Sequence, residues 1–141
     1  MPVLIEHIDA IARKKQRDVL YVTFHPKQSG DYDSWESSHD WENDPMREVV
    51  CNWLTAHHIA WQMCGYAADE SCMCSYEGQI YLDVPYDDND SLYVLVRDYL
   101  ENPDGSMRFD TVSFWYLPLA TAMKNAHHDE PGFWAKWAET F

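Results

Sequence analysis

The chain opens on an amphipathic pattern. Leu4, Ile5, Ile8, Ile11 and Ala12 recur at helical spacing, and Arg13, Lys14 and Lys15 follow where cations complement a helix dipole. This predicts a helix over 4–16. Val19-Leu20-Tyr21-Val22-Thr23-Phe24 is β-branched and aromatic on both faces, the pattern of an interior strand. Residues 25–45 hold Pro26, Gly30 and Pro45 among Ser and Asp with no sustained period, and read as one long loop. Helical spacing returns over 46–58, with Asp44 placed to cap, Pro45 suited to the first turn, and Val49, Val50, Trp53 and Leu54 as the stripe. Residues 59–64 alternate, with Ile59, Trp61 and Met63 on one face, and 79–84 alternate with Ile80, Leu82 and Val84. Both read as half-buried strands. A third helix over 91–101, capped by Asn89 or Asp90, carries Leu92, Leu95, Val96, Tyr99 and Leu100. Asn102-Pro103-Asp104-Gly105 is a turn signal. Residues 107–117 predict a long strand, 118–125 a helical stretch, and the residues after Pro131 a short helix presenting Phe133, Trp137 and Phe141.

The order α, β-α-β-β-α-β, α predicts an α+β fold: a ferredoxin-like antiparallel sheet with extra N-terminal and C-terminal helices. No linker or repeat interrupts it, so residues 1–141 form one domain with a long loop at 25–45. Tyr21, Tyr81 and Trp115 then share the sheet face turned away from the two inner helices. RNA-binding domains of this topology stack bases on that face, but here it lacks bases around it. Cover by the first helix, by the aromatic C-terminal stretch (Phe133, Trp134, Trp137, Phe141) or by a second copy is the ordinary expectation. A homo-oligomer through the C-terminal helix or the sheet face belongs to the same expectation.

Charge changes the picture next. Asp and Glu number 24 against 10 Lys and Arg, a formal net charge of -14 over 141 residues. This disfavours direct contact with nucleic acid or an anionic membrane, both of which need clustered cations. A chain that is 46% apolar and holds 7 Trp is nonetheless no disordered acidic tail. The start lacks a basic region followed by an apolar one, no run approaches a membrane span, and the cysteines are sparse; these features point to a reduced, cytoplasmic protein. The expected topology gathers the acids. The loop after the first strand, the connection at 65–78 and the turn at 101–106 share one end of the sheet. There they bring Asp31, Asp33, Glu36, Asp40, Glu42, Asp44, Asp69, Glu70, Glu77, Glu101 and Asp104, with Lys27 as their one base. Tyr32, Trp35 and Trp41 lie among these carboxylates. Aromatic anchors ringed by acids suit capture of a basic protein. The plainer reading is a solvated loop whose tryptophans fold back onto the sheet.

Other chemistry is thinner. Cys64, Cys72 and Cys74, with His25 and His39 from the neighbouring loop, form a conceivable zinc set, yet no C-x-x-C pair is present. Cys51 sits in a helix stripe and reads as core. His57-His58 and His127-His128 are adjacent pairs that point about 100° apart on a helix, and His57 or His58 suits a helix C-terminus. Asp87-Asp88-Asn89-Asp90 lacks calcium-loop spacing and reads as capping. No nucleophile elbow, phosphate loop or dinucleotide fingerprint marks an enzyme.

The leading expectation is therefore a small acidic binding module that neutralises or regulates a basic partner, such as a nuclease, with no cofactor. In size and charge it is similar to immunity proteins, antitoxins and DNA-mimicking inhibitors. The expected contact residues are Asp31, Tyr32, Asp33, Trp35, Glu36, Asp40, Trp41, Glu42, Asp44, Asp69 and Glu70. The alternatives are a metal- or ligand-binding domain built on Cys64, Cys72 and Cys74, and an enzyme.

Overall fold

A computed structural model describes residues 5–25, 41–68 and 76–139. The elements run α1 (Ile8–Lys15), β1 (Val19–Phe24), α2 (Pro45–Ala56), β2 (Trp61–Met63), β3 (Ile80–Leu82), α3 (Ser91–Leu100), β4 (Val112–Leu117), α4 (Leu119–Ala122), a 3-10 stretch at Met123–Asp129, and α5 (Phe133–Ala138). The fold is α+β: among the described residues a four-stranded sheet in the order β2-β3-β1-β4, every neighbouring pair antiparallel, stands with five α-helices. Among the described residues no helix is long and apolar enough to cross a membrane.

β1 is interior, as its doubly apolar pattern requires. Its even-numbered residues Leu20, Val22 and Phe24 join Ile80, Leu82 and Val112 in a core with Val50, Cys51 and Leu54 of α2 and Tyr93, Val96 and Leu100 of α3. Val19 joins Tyr81, Leu117 and Cys64 under Ile8, Ile11 and Ala12 of α1 and Ala122 of α4, with Tyr21 packed alongside. Successive strand residues point to opposite faces, so the sheet is sandwiched, with α2 and α3 on one side and α1 and α4 on the other. Tyr81, Tyr21 and Trp115 stand in one row across the second face, in direct register. α1 covers Tyr81 and Tyr21 there, while Trp115 stays half exposed. The C-terminal aromatics form a separate cluster, in which Trp134 meets His7, His128, Phe133 and Trp137.

Several elements differ in extent from the pattern. β2 and β3 pair over three residues each. β4 begins at Val112 rather than 107, because Met107 bridges back to Glu101 and the Val112 N–H bonds the Phe109 carbonyl, folding 107–111 into a corner. α2 and α3 are rotated from the expected stripes: Val49, Leu92 and Leu95 are exposed and Tyr93 turns inward, while Cys51 is in the core as its place in α2 suggested. α1 starts at Ile8, where Gly65 accepts the Ile8 N–H and donates to the Glu6 carbonyl.

A buried ionic clasp ties α1 to the C-terminal stretch. The Arg13 guanidinium donates to Asp9 at 2.8 Å, to the Ala122 carbonyl at 3.0 Å, and to both Asp129 oxygens at 2.7 and 2.9 Å. Asp9 also accepts from the Ala68 N–H and Asn125 Nδ2. Arg13, expected as a cation complementing the α1 dipole, is 6% exposed and bound in this clasp.

Candidate functional site

The end of the sheet where β1 leaves, β3 begins and β4 begins is also where α2 starts. Asp44 caps α2 with one carboxylate oxygen, accepting from Met46 N at 2.9 Å and Arg47 N at 3.2 Å, with Pro45 in the first turn. That cap aims Arg47 across to the strand that follows. Its Nε donates to the Gly78 carbonyl at 3.0 Å and Nη2 to the Tyr76 hydroxyl at 3.1 Å. Trp41 closes over this guanidinium, 4.7 Å from ring centre to Cζ, and meets Tyr76 edge-on at 4.8 Å. Gly78 sits at φ +98°, and a Cβ there would lie 2.6 Å from Trp41 Cβ. Only glycine suits that backbone and that approach.

Trp41 and Asp44 thus have intramolecular work: one folds back onto Arg47 and Tyr76, the other holds a helix. Glu42 is exposed between them. Asp31, Tyr32, Asp33, Trp35, Glu36, Asp40, Asp69 and Glu70 lie outside the described residues.

Further carboxylates share this end. Glu77 accepts from the Tyr66 hydroxyl. Asp104 closes the 101–106 turn, accepting from the Ser106 N–H and hydroxyl, and these bonds hold its carboxyl below the usual value. Burial instead pushes Glu101 up. Asp110 precedes Thr111, whose carbonyl accepts the His25 N–H at 3.0 Å. Among the described residues none of Glu42, Glu77, Glu101, Asp104 and Asp110 makes an ion pair. Arg47 is engaged as above, Arg108 lies on the Tyr99 carbonyl and over the Tyr99 and Phe109 rings, and Arg97, close enough to Glu101 to pull its carboxyl down against burial, meets Asp98 at 3.4 Å. At the opposite end the acids are compensated. Arg17 meets Asp83 at 2.8 Å, Lys15 meets it at 3.6 Å, and Arg97 meets Asp88 at 3.6 Å. A shallow cleft of about 600 Å³ beside the acidic end is lined by Arg97, Asp98, Glu101, Asn102, Pro103 and Gly105.

The metal candidates are not brought together among the described residues. Cys64 is sealed under α1, and burial pushes its thiol up to about 12; burial also raises Cys51. His25 lies two strands away and bonds the Ser113 hydroxyl. Cys72, Cys74 and His39 fall outside the described residues. No group of three or more His, Cys, Asp or Glu side chains among the described residues is placed to hold a metal. His57 is the C-cap of α2, its Nδ1 2.8 Å from the Trp53 carbonyl. Asp90 caps α3 through Leu92 and Tyr93. Comparison with protein families, curated proteins and solved structures finds no match.

Proposed function

We propose that this chain is an acidic protein-binding module that captures a basic partner with the end of the sheet where α2 begins. One observation carries the reading: compensation of charge is one-sided. Acids at the far end have ion-pair partners, whereas Glu42, Asp104 and Asp110 are exposed and Glu77 and Glu101 half-buried on three connections, none of them ion-paired among the described residues, with Arg47 and Arg108 bonded to backbone carbonyls. Such carboxylates attract cationic surfaces over a Debye length and speed encounter. The acids and aromatics of 31–40 adjoin this end in sequence and extend the same surface in the proposal. A ferredoxin-like unit is the proposed scaffold, supported by helices interposed as β1-α2-β2-β3-α3-β4 and the order β2-β3-β1-β4. A nuclease or other nucleic-acid-binding protein, whose surface is built for phosphates, is the proposed partner class, and the cytoplasm the proposed compartment.

The test uses the intact chain as bait in a cell lysate at low and high salt, beside a Glu42→Lys/Glu101→Lys/Asp104→Lys variant with unchanged circular dichroism. Basic proteins held at low salt, and lost both at high salt and by charge reversal, support the reading. Retention indifferent to both sinks it.

A further inference from the structure

The two edges of the sheet are unlike. β2 is three residues long, whereas β4 presents six, Val-Ser-Phe-Trp-Tyr-Leu, with no charge. Natural sheets blunt an open edge with shortness, lysine, proline or a bulge. Among the described residues no strand pairs with the outer side of β4. Trp115 and Tyr116 are 50% and 51% exposed on its two faces, and Tyr86, stacked on Tyr116 at 4.7 Å, is 47% exposed.

The ladder identifies the groups left open. The His25 N–H to Thr111 carbonyl bond continues the register that pairs Phe24 with Val112. Antiparallel alternation then turns the backbone of Ser113, Trp115 and Leu117 toward β1, and that of Val112, Phe114 and Tyr116 outward. The Val112 N–H is held by the Phe109 carbonyl, and Pro118 has none to give. Phe114 and Tyr116 are therefore the residues of this edge with both a donor and an acceptor to offer. One antiparallel register lets both exchange both groups with a copy of themselves: Phe114 facing the copy's Tyr116, Tyr116 facing the copy's Phe114, and Trp115 on the axis. It is self-complementary, as a twofold contact must be.

We propose that β4 pairs with β4 of a second copy of this chain, antiparallel across a twofold axis at Trp115. Charge selects this seam. Residues 111–123 carry no Asp, Glu, Lys, Arg or His, so two chains of net charge -14 meet where neither presents a carboxylate. Area sets the strength. An aromatic side chain buries roughly 150–250 Å², so half of three such side chains gives roughly 300 Å² per copy. That stands below the roughly 800 Å² per partner of a standard interface. The dimer is weak and reversible, and added salt strengthens it by screening like charges. A basic partner shows the opposite salt dependence, so the two proposals fail separately.

Sedimentation velocity over a concentration series at low and high salt tests the pairing. A monomer–dimer equilibrium that tightens with salt is expected. Trp115→Lys, which sets like charges on the axis, and Tyr116→Pro, which removes an outward N–H that the β1 ladder does not use, should both be monomeric. Mild oxidation should cross-link Trp115→Cys into a dimer, because facing Cα atoms in a non-hydrogen-bonded pair lie about 4.5 Å apart. It should not cross-link Ser113→Cys. A chain monomeric at every concentration and salt overturns the proposal, as does a dimer that survives Trp115→Lys. Should Tyr116→Pro unfold, Trp115→Lys and the cross-link decide.

Discussion

Replacing Arg13 with Met keeps an unbranched stem of similar reach and deletes the guanidinium that joins α1 to the C-terminal stretch. Three partners lose it. Asp129 has a 54% exposed side chain and recovers water at little cost. The Ala122 carbonyl loses a donor, while the Asp9 carboxylate, 1% exposed, keeps only the Ala68 N–H and Asn125 Nδ2. Stranding one member of a buried pair costs about 3–5 kcal/mol. Against a total of roughly 5–15 kcal/mol for a domain, that is a large share. At about 2–4 °C per kcal/mol, the midpoint should fall on the order of 10 °C. The pH dependence separates this cause from lost packing. In the native chain burial pulls the Asp9 carboxyl upward, but the Ala68, Arg13 and Asn125 bonds outweigh it and hold it below the usual 3.8. Its contribution is present above that unfolded value and is lost as pH falls through the folded one. Without Arg13, burial is opposed only by the Ala68 and Asn125 bonds, and the folded value is expected to rise above the unfolded one. The variant then recovers stability as pH falls from about 7 toward about 4. Urea denaturation of both proteins across that range measures the gap. A loss under about 1 kcal/mol, or a gap that does not narrow on acidification, refutes the reasoning.

Gly78→Ala should cost about 1–3 kcal/mol, because the new methyl meets Trp41 at 2.6 Å in a left-handed backbone. Gly105→Ala, with a similar φ of +88° and nothing within 4 Å, should cost less in the same denaturation series. Equal losses would deny the Trp41 contact. Asp90→Ala should remove about 1 kcal/mol, by freeing the Leu92 and Tyr93 amides, and Asp90→Asn should restore most of it in thermal melts. With its thiol pushed up to about 12 by burial, Cys64 should resist alkylation in the native protein and react only after unfolding. Peptide mapping showing rapid native modification would overturn its placement under α1.

Local order was legible where one short segment settled it. The β1 pattern could only be an interior strand, and Asp44 and Asp90 announce the starts of α2 and α3 because a cap bonds amides two and three residues away. The row of Tyr81, Tyr21 and Trp115 was readable from period two alone. Helix rotation was less legible. Apolar side chains occupy 92 through 96 without a break, so several stripes fit, and contact with the sheet selected Tyr93, Val96 and Leu100. Of the expected binding residues, Trp41 read equally as an exposed anchor or as folded back onto the sheet, because Arg47, Tyr76 and Gly78, which receive it, come from two other segments.

The amino-acid sequence by itself determined the order of helices and strands, the acid excess and its concentration in a few connections, because these depend on near neighbours and on counting. Only the tertiary structure decided which charges are spent. Arg13 meets Asp129 across 116 positions, Arg17 meets Asp83 across 66, and Arg47 meets Gly78 across 31. No local pattern encodes those pairings. They arise when strand order brings remote segments to one end of the sheet, and they leave some carboxylates compensated and others facing water.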